Sequence, residues 1–338
     1  MGSEKVILSK IAIGVAIVAV VLCLLLYISC CYLFQVGMVA KFQRKPPKKK
    51  PDARPPTPEQ LRLQEEKQAT ETWRQAQPFQ TVAIQSRDNL RLVGHYLPCS
   101  QAKRTVLLVH GWRGSWERDM CPFGPFLQEQ RCNLLFVEQR GHGASQGEYL
   151  GFGVLERYDC LAWVHYLQKR EPEGQPIYLL GCSQGATTVL MASGFGLPEQ
   201  VRGIIADCGF LSPEEQIATT LRDWWHLPKQ PFLFVADQIC RHRVGYSYRD
   251  YSTLEAMKTN RTPVLFVHGS EDRFVPVSNT LRNYQACRAE KELLLVKGAR
   301  HIQSYLLGGD QYRERLRAWF RKYDTGCEEP CVKGKRER

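Results

Sequence analysis

Ser183 stands at the centre of Gly181-Cys182-Ser183-Gln184-Gly185, between the apolar run IYLLG and the helix-like stretch QGATTVLMAS. A serine hydroxyl is a weak nucleophile until a neighbouring base takes its proton. On a sharp strand-to-helix turn, small flanking residues let the two elements approach closely and the hydroxyl stands clear, the Gly-x-Ser-x-Gly elbow. Such a turn also leaves the backbone N–H of Gln184 unpaired at a helix N-terminus, free to bind a developing oxyanion. The bland rival is a packing turn of small residues. The strand before the pentapeptide and the helix after it favour the elbow.

Three other strand ends carry partners for that chemistry. His110-Gly111-Trp112 follows TVLLV, and the backbone N–H of Trp112 would be a second oxyanion donor. His110 itself reads as a residue that orders the loop rather than a proton carrier. Asp272 lies three residues past the glycine that ends PVLFVHG; there it can accept a hydrogen bond from a histidine Nδ1–H and fix the tautomer. Glu271 is its neighbouring rival. His301, after ELLLVKG, is the candidate general base toward Ser183. The chain holds eight histidines, so position singles this one out: it follows the last strand, after both the serine and the aspartate.

These residues need a scaffold that gathers strand ends. Candidate strands are 81–86, 91–97, 105–111, 133–139, 177–182, 201–209, 263–269 and 292–298. The first two suit an antiparallel pair. The later ones are short continuous apolar runs, as in parallel strands buried on both faces. Helical stretches such as Leu155 to Gln168 and Gln184 to Ser193 separate them. The alternation predicts an α/β fold with a mostly parallel eight-stranded sheet and helices on both faces. In such sheets functional residues gather just past the carboxyl ends of the strands. A long insertion, about 210–262, is expected to form a helical cap. Within it Trp224 and Trp225 would line an apolar substrate pocket, or its aromatics would only pack a small core of their own. The glycine-rich loop Gly141-His142-Gly143-Ala144-Ser145-Gln146-Gly147 lacks the helix start that a phosphate cradle needs, so no dinucleotide is expected there.

The 338 residues are 43% apolar and 24% charged, enough to bury a core. The formal charge is +12, but seven basic residues and one acidic one fall between Lys41 and Arg54. The body is only mildly basic, which argues against nucleic-acid binding. Thirteen cysteines without regular spacing suggest free thiols in a reducing compartment rather than a disulfide scaffold or a structural zinc site; Cys327 and Cys331 are a weak exception. Ile11 to Phe34 is uncharged throughout, and as a helix it would span roughly 36 Å. It reads as a single transmembrane anchor, being too long for a signal peptide and lacking small residues at its end. Cys30 and Cys31 are ordinary apolar members of that span or acylation sites at its boundary. The basic flank downstream favours a cytoplasmic body, with an extracellular body as the alternative. The organisation expected is an anchor over 1–40, a basic Pro-rich linker over 41–57 and a polar helix over 58–78 opened by Thr57-Pro58. A main domain over 79–323 and a charged tail over 324–338 follow.

With EQRGHGASQG, GCSQGATTVLMASG, IIADCGF, LPKQPF, PVLFVHGSEDRFVPV and KGARHIQSY together, the chain resembles the α/β-hydrolase superfamily of serine hydrolases over roughly Phe79 to Tyr323. It is most similar to bacterial membrane-anchored, prolyl-oligopeptidase-like hydrolases described as cell-surface proteins. The resemblance implies the α/β-hydrolase fold, the order Ser183, Asp272, His301 for nucleophile, acid and base, and Trp112 and Gln184 as oxyanion donors. It implies no metal and no organic cofactor. Departures are Glu138, where aspartate is common, and Cys182 and Gln184 beside the serine. The reading is a membrane-anchored hydrolase that cleaves small or lipid-like carboxylic esters or thioesters through an acyl-enzyme. A serine peptidase and a catalytically silent binding scaffold are the alternatives.

Overall fold

Strands that are apolar on both faces can pair their backbone and hide their side chains only inside a helix-covered sheet. The computed structural model describes residues 2–41 and 58–324. The Pro-rich linker, the Thr57 cap and the tail with Cys327 and Cys331 lie outside the described residues. In chain order the elements are α1 (Gly2–Met38), α2 (Pro58–Gln75), β1 (Gln80–Gln85), β2 (Arg91–Leu97) and β3 (Arg104–Val109). A π-helical turn at Trp116–Met120 leads to α3 (Gly124–Glu129), β4 (Cys132–Val137), α4 (Glu156–Arg170), β5 (Ile177–Cys182) and α5 (Gln184–Ser193). There follow β6 (Val201–Asp207), α6 (Pro213–Trp225), α7 (Phe232–Val244), α8 (Thr253–Thr259) and β7 (Val264–Gly269). The last are α9 (Val277–Ala286), β8 (Lys291–Val296) and α10 (Ser304–Tyr323).

All eight strands fall where the sequence puts them. They form one sheet in the order β1-β2-β4-β3-β5-β6-β7-β8. β1, β2 and β4 pair antiparallel, and every pair from β4–β3 to β7–β8 is parallel. The two-residue strand period sorts side chains to opposite layers. Val106 and Leu108 pack with Phe126 of α3 and Trp319 and Phe320 of α10. Leu107 and Val109 pack with Trp163 of α4, Val189 of α5 and Met257 of α8. Asp324, assigned to the tail from sequence, closes α10, and its carboxylate takes the buried Arg104 and the Tyr178 hydroxyl at 2.9 Å.

A third apolar core decides how α1 sits. The helix contains a window of mean hydropathy 3.1 within Ile7–Met38, long and apolar enough to cross a membrane, a property it shares with signal sequences. Its side chains from Ile7 to Leu25 stand free, and then the helix docks. Cys30, Phe34 and Met38 are buried among Leu233, Ala236, Ile239 and Cys240 of α7 and the Phe152–Val154 loop. The last carbonyls of a helix have no partner within it. Here Arg113 donates to the Val36 and Val39 carbonyls at 2.9 and 2.8 Å, and the Trp112 indole donates to that of Gly37 at 2.9 Å. The chain then bonds the glycine-rich loop, Leu150 N to Met38 O at 2.7 Å and Ala40 N to Glu148 O at 2.8 Å. The apolar helix is therefore fastened to the body before the proline-rich segment begins.

Arg140 holds that glycine-rich loop. It forks onto Asp159 of α4, both contacts at 2.7 Å, and reaches Asp88 at 2.9 Å. Arg140 and Asp159 are both buried. Burial raises the Asp159 pKa, and the guanidinium offsets part of that shift. Removing one member of a buried pair leaves the other charge without compensation. Arg140→Ala is expected to cost about 3–5 kcal/mol of stability, measured by urea unfolding of the wild type and the variant side by side.

Candidate active site

The strand–turn–helix at Ser183 is as tight as the glycines suggest. Ser183 has φ 55° and ψ −118°, a left-handed conformation costly for any residue with a Cβ. A Cβ on Gly181 would lie 2.3 Å from the Gly185 backbone, and one on Gly185 would lie 1.9 Å from the Val109 carbonyl oxygen. The strain is held by Ser183 N–H donating to the Asp207 carbonyl at 2.8 Å and Thr187 N–H donating to the Ser183 carbonyl at 3.0 Å.

The three side chains named from sequence meet. His301 Nε2 is 2.9 Å from Ser183 Oγ, and His301 Nδ1 is 2.7 Å from Asp272 Oδ2. Nδ1 faces a carboxylate, so it carries the proton and Nε2 is left to accept from the serine. Asp272 is fully enclosed. Its Oδ1 accepts from Phe274 N and Val275 N, each at 2.9 Å. Burial alone would raise its pKa, but hydrogen bonds from His268 and His301 hold it well below the usual carboxylate range. Glu271, the rival, is exposed. Trp112 stands on the loop after β3, and Gln184 directly follows the serine. Gln184 opens α5, so its N–H has no helical acceptor.

Several supporting residues escaped the sequence reading. His268 sits at 3.3 Å from Asp272 Oδ2 and 2.9 Å from the Val275 carbonyl, with its other nitrogen on the Thr280 hydroxyl at 2.7 Å. Its Nε2 faces only acceptors and therefore donates. Asp119 accepts from Gly111 N–H at 3.1 Å and so shapes the loop that presents Trp112. Asp207 takes the Ser304 hydroxyl at 2.9 Å behind the elbow. Asp207 touches a residue far off in the chain, whereas His268 and Asp119 lie four and eight residues from the groups they bond. The one local signal is Asp272-Arg273-Phe274-Val275, where an aspartate can accept from backbone N–H groups two and three residues on.

His110 is a loop-ordering residue. Its Nδ1 donates to the Gly111 carbonyl at 2.8 Å, and its Nε2 accepts from Gln139 N–H at 3.1 Å. The cap divides its aromatics. Tyr246 and Tyr248 pack the third core. Trp224 is 60% exposed and reaches His301 only through Phe274: the Trp224–Phe274 rings lie 5.5 Å apart and the Phe274–His301 rings 4.8 Å apart. Trp225 is half-buried. Among the described residues, Cys208, Asp272 and His301 place ligand-type atoms within 4.8 Å of one another. Burial raises the Cys208 thiol far above its ordinary pKa, and Asp272 and His301 are bonded to each other, so a metal there would have to break that bond.

Comparison with known proteins places this geometry on a known scaffold. A family description, the α/β hydrolase fold, matches residues 104–237. The Bacillus subtilis protein YqkD is 29% identical over 235 residues, 70% of this chain and 77% of that protein. The Pyrococcus furiosus esterase Pf2001 superposes with a TM-score of 0.60 at 22% identity, covering 74% of this chain and 94% of the esterase. An acylaminoacyl peptidase of Pyrococcus horikoshii superposes at 0.56 and 17% identity, with 77% of this chain covering 44% of the peptidase. The chain has the α/β-hydrolase fold.

Two outcomes follow from the packing and the charges. Gly185→Ala forces a methyl against the Val109 carbonyl; it is expected to cost about 3 kcal/mol, a Tm fall of roughly 6–12 °C by calorimetry. Burial and the neighbouring His110 pull His142 down to about 3. Below its unfolded value of about 6.5, His142 binds a proton only in the unfolded chain, so its contribution to stability falls as pH drops from 6.5. Glu156 and Asp207, whose pKa values burial raises, act in the opposite sense. The difference between variant and wild type isolates the histidine: His142→Gln should flatten the acid side of a Tm–pH curve between about pH 7 and pH 5.

Proposed function

We propose that this α/β-hydrolase-fold chain is a membrane-anchored serine hydrolase that cleaves carboxylic esters or thioesters through an acyl-enzyme on Ser183. The observation that carries the reading is the continuous hydrogen-bonded line from Ser183 Oγ through His301 to the buried Asp272. Ser183 Oγ attacks the carbonyl carbon while its proton passes to His301 Nε2. The C–O or C–S bond then breaks, and His301 returns the proton to the departing alcohol or thiol. Water repeats the sequence: its proton goes to His301, its oxygen bonds the acyl carbon, and Ser183 leaves with the proton restored. Asp272 stays ionised, keeps the imidazole in the Nδ1–H tautomer and stabilises the imidazolium formed in each half-reaction. The Trp112 and Gln184 N–H groups take the negative charge that develops on the carbonyl oxygen.

The apolar α1 is read as the membrane anchor, and the basic residues between Lys41 and Arg54 favour a body on the cytoplasmic side. Protease treatment of intact cells tests that side: a protected body supports it, and a cleaved one reverses it.

A fluorophosphonate probe should label the wild-type chain at Ser183 and leave Ser183→Ala unlabelled. In a series of p-nitrophenyl esters, Asp272→Asn should lower kcat by about 10³–10⁴-fold with little change in KM. Absence of labelling on folded wild type would sink the hydrolase reading in favour of a binding scaffold. Turnover of aminoacyl amides but not of esters would make the chain a peptidase.

A further inference from the structure

The connection from α6 to α7 carries an unusual surface. From Trp224 to Phe234 it reads Trp-Trp-His-Leu-Pro-Lys-Gln-Pro-Phe-Leu-Phe. Trp224 and Phe234 are each 60% exposed, more than any other large apolar side chain outside α1 among the described residues. Large exposed apolar residues gathered in one short segment mark a surface built for something other than water. What covers this one follows from where it touches α1.

The tip meets the span itself. The Cys30 thiol donates to the Phe232 carbonyl at 3.6 Å, and Cys30 packs beside Leu233. Counted from Ile11, the first residue past the last upstream charge, Cys30 lies roughly 28 Å along the helix axis. A bilayer's hydrocarbon layer is about 30 Å thick. With Lys10 at one boundary, Cys30 is therefore at the other, and the cap tip bonded to it is held at the same depth. Tyr27 and Tyr32 are exposed on α1 at that level, and Trp224, Phe234 and the exposed Lys229 extend the same belt outward. Tryptophan, tyrosine and lysine together are the side chains that favour the boundary between acyl chains and head groups. The fastening of α1 by Arg113 and Trp112 leaves no spacer that could lift the cap away.

We propose that the segment from Trp224 to Phe234 is a membrane-seating surface, inserted at the bilayer boundary beside the span, and that the active site takes esters whose acyl chains reside in that bilayer. The Trp224–Phe274–His301 ring series runs from this surface to the general base. The proposal rests on the anchored-hydrolase reading above, and the following experiment separates the two.

The full chain is reconstituted in phosphatidylcholine–phosphatidylglycerol vesicles, with and without brominated acyl chains. α1 contains no tryptophan, so quenching reports the body. Wild type should show quenching that Trp224→Phe lowers. Phe234→Glu places a charge where an apolar side chain is buried in lipid. It should lower hydrolysis of a long-chain ester held in the vesicles by about tenfold or more, with soluble p-nitrophenyl butyrate turnover within about twofold of wild type. Quenching without any esterase activity in wild type would overturn the hydrolase reading and leave the seating surface standing. Esterase activity without Trp224-dependent quenching, or equal loss on both substrates, would overturn the seating surface. So would the appearance of a dimer in detergent that Phe234→Glu dissolves, since the patch would then face a second copy of this chain.

Discussion

The carbonyl oxygen of Val109, at the end of β3, leaves no room for any side chain at residue 185. That contact locks the first turn of α5 against the centre of the sheet and forces Ser183 into a left-handed conformation. Everything chemical at the site is measured from it. The hydroxyl points out over the carboxyl ends of the strands because the backbone has no other way to turn from β5 into α5. β7 and β8 lie two and three strands over, and parallel pairing brings the loops after them to the same edge. His301 and Asp272 then need only short loops to reach the serine. The strain is affordable because the turn is buried and bonded on both sides, to Asp207 before it and Thr187 after it.

Around this point two buried carboxylates are shifted in opposite directions. Asp272 is enclosed, yet ionised, because four donors converge on it: two backbone N–H groups and two histidines. Asp207, equally buried but bonded only to hydroxyls through its side chain, is pushed the other way. Burial is common to both, so the donors decide the sign. The same logic governs His110, whose burial lowers its pKa and whose two nitrogens are used up in ordering the loop beneath Trp112.

The end of α1 joins this arrangement through the Trp112 indole and the Arg113 guanidinium, on the loop after β3. An arginine that satisfies the orphan carbonyls of a helix end complements the helix dipole as well. The apolar helix and the loop after β3 therefore share one rigid junction, closed on its other side by the glycine-rich loop that resembles a nucleotide cradle in sequence. The loop's glycines serve instead to let the chain pass close to Ala40 and Glu138.

The eight strands, the elbow and the order of serine, aspartate and histidine could all be read from the sequence, because each depends on residues adjacent in the chain: apolar runs, a pentapeptide, a strand followed by a polar loop. α10 could not. The helix runs on through a kink at Gly309, φ 47°, held by Tyr312, Leu316, Trp319 and Phe320 against the sheet. Nor could the roles of Asp207 and Phe274, which come from contacts across the fold, or those of His268 and Asp119, which the folded shape of their loops decides. The sequence by itself determined which polar residues stand past the strand ends and which elements carry them, since local propensity and apolar period suffice for that. Only the tertiary structure decided that the apolar helix docks on the cap. Packing between segments some two hundred residues apart leaves no periodic trace in either one, and it is settled by shape once both are folded.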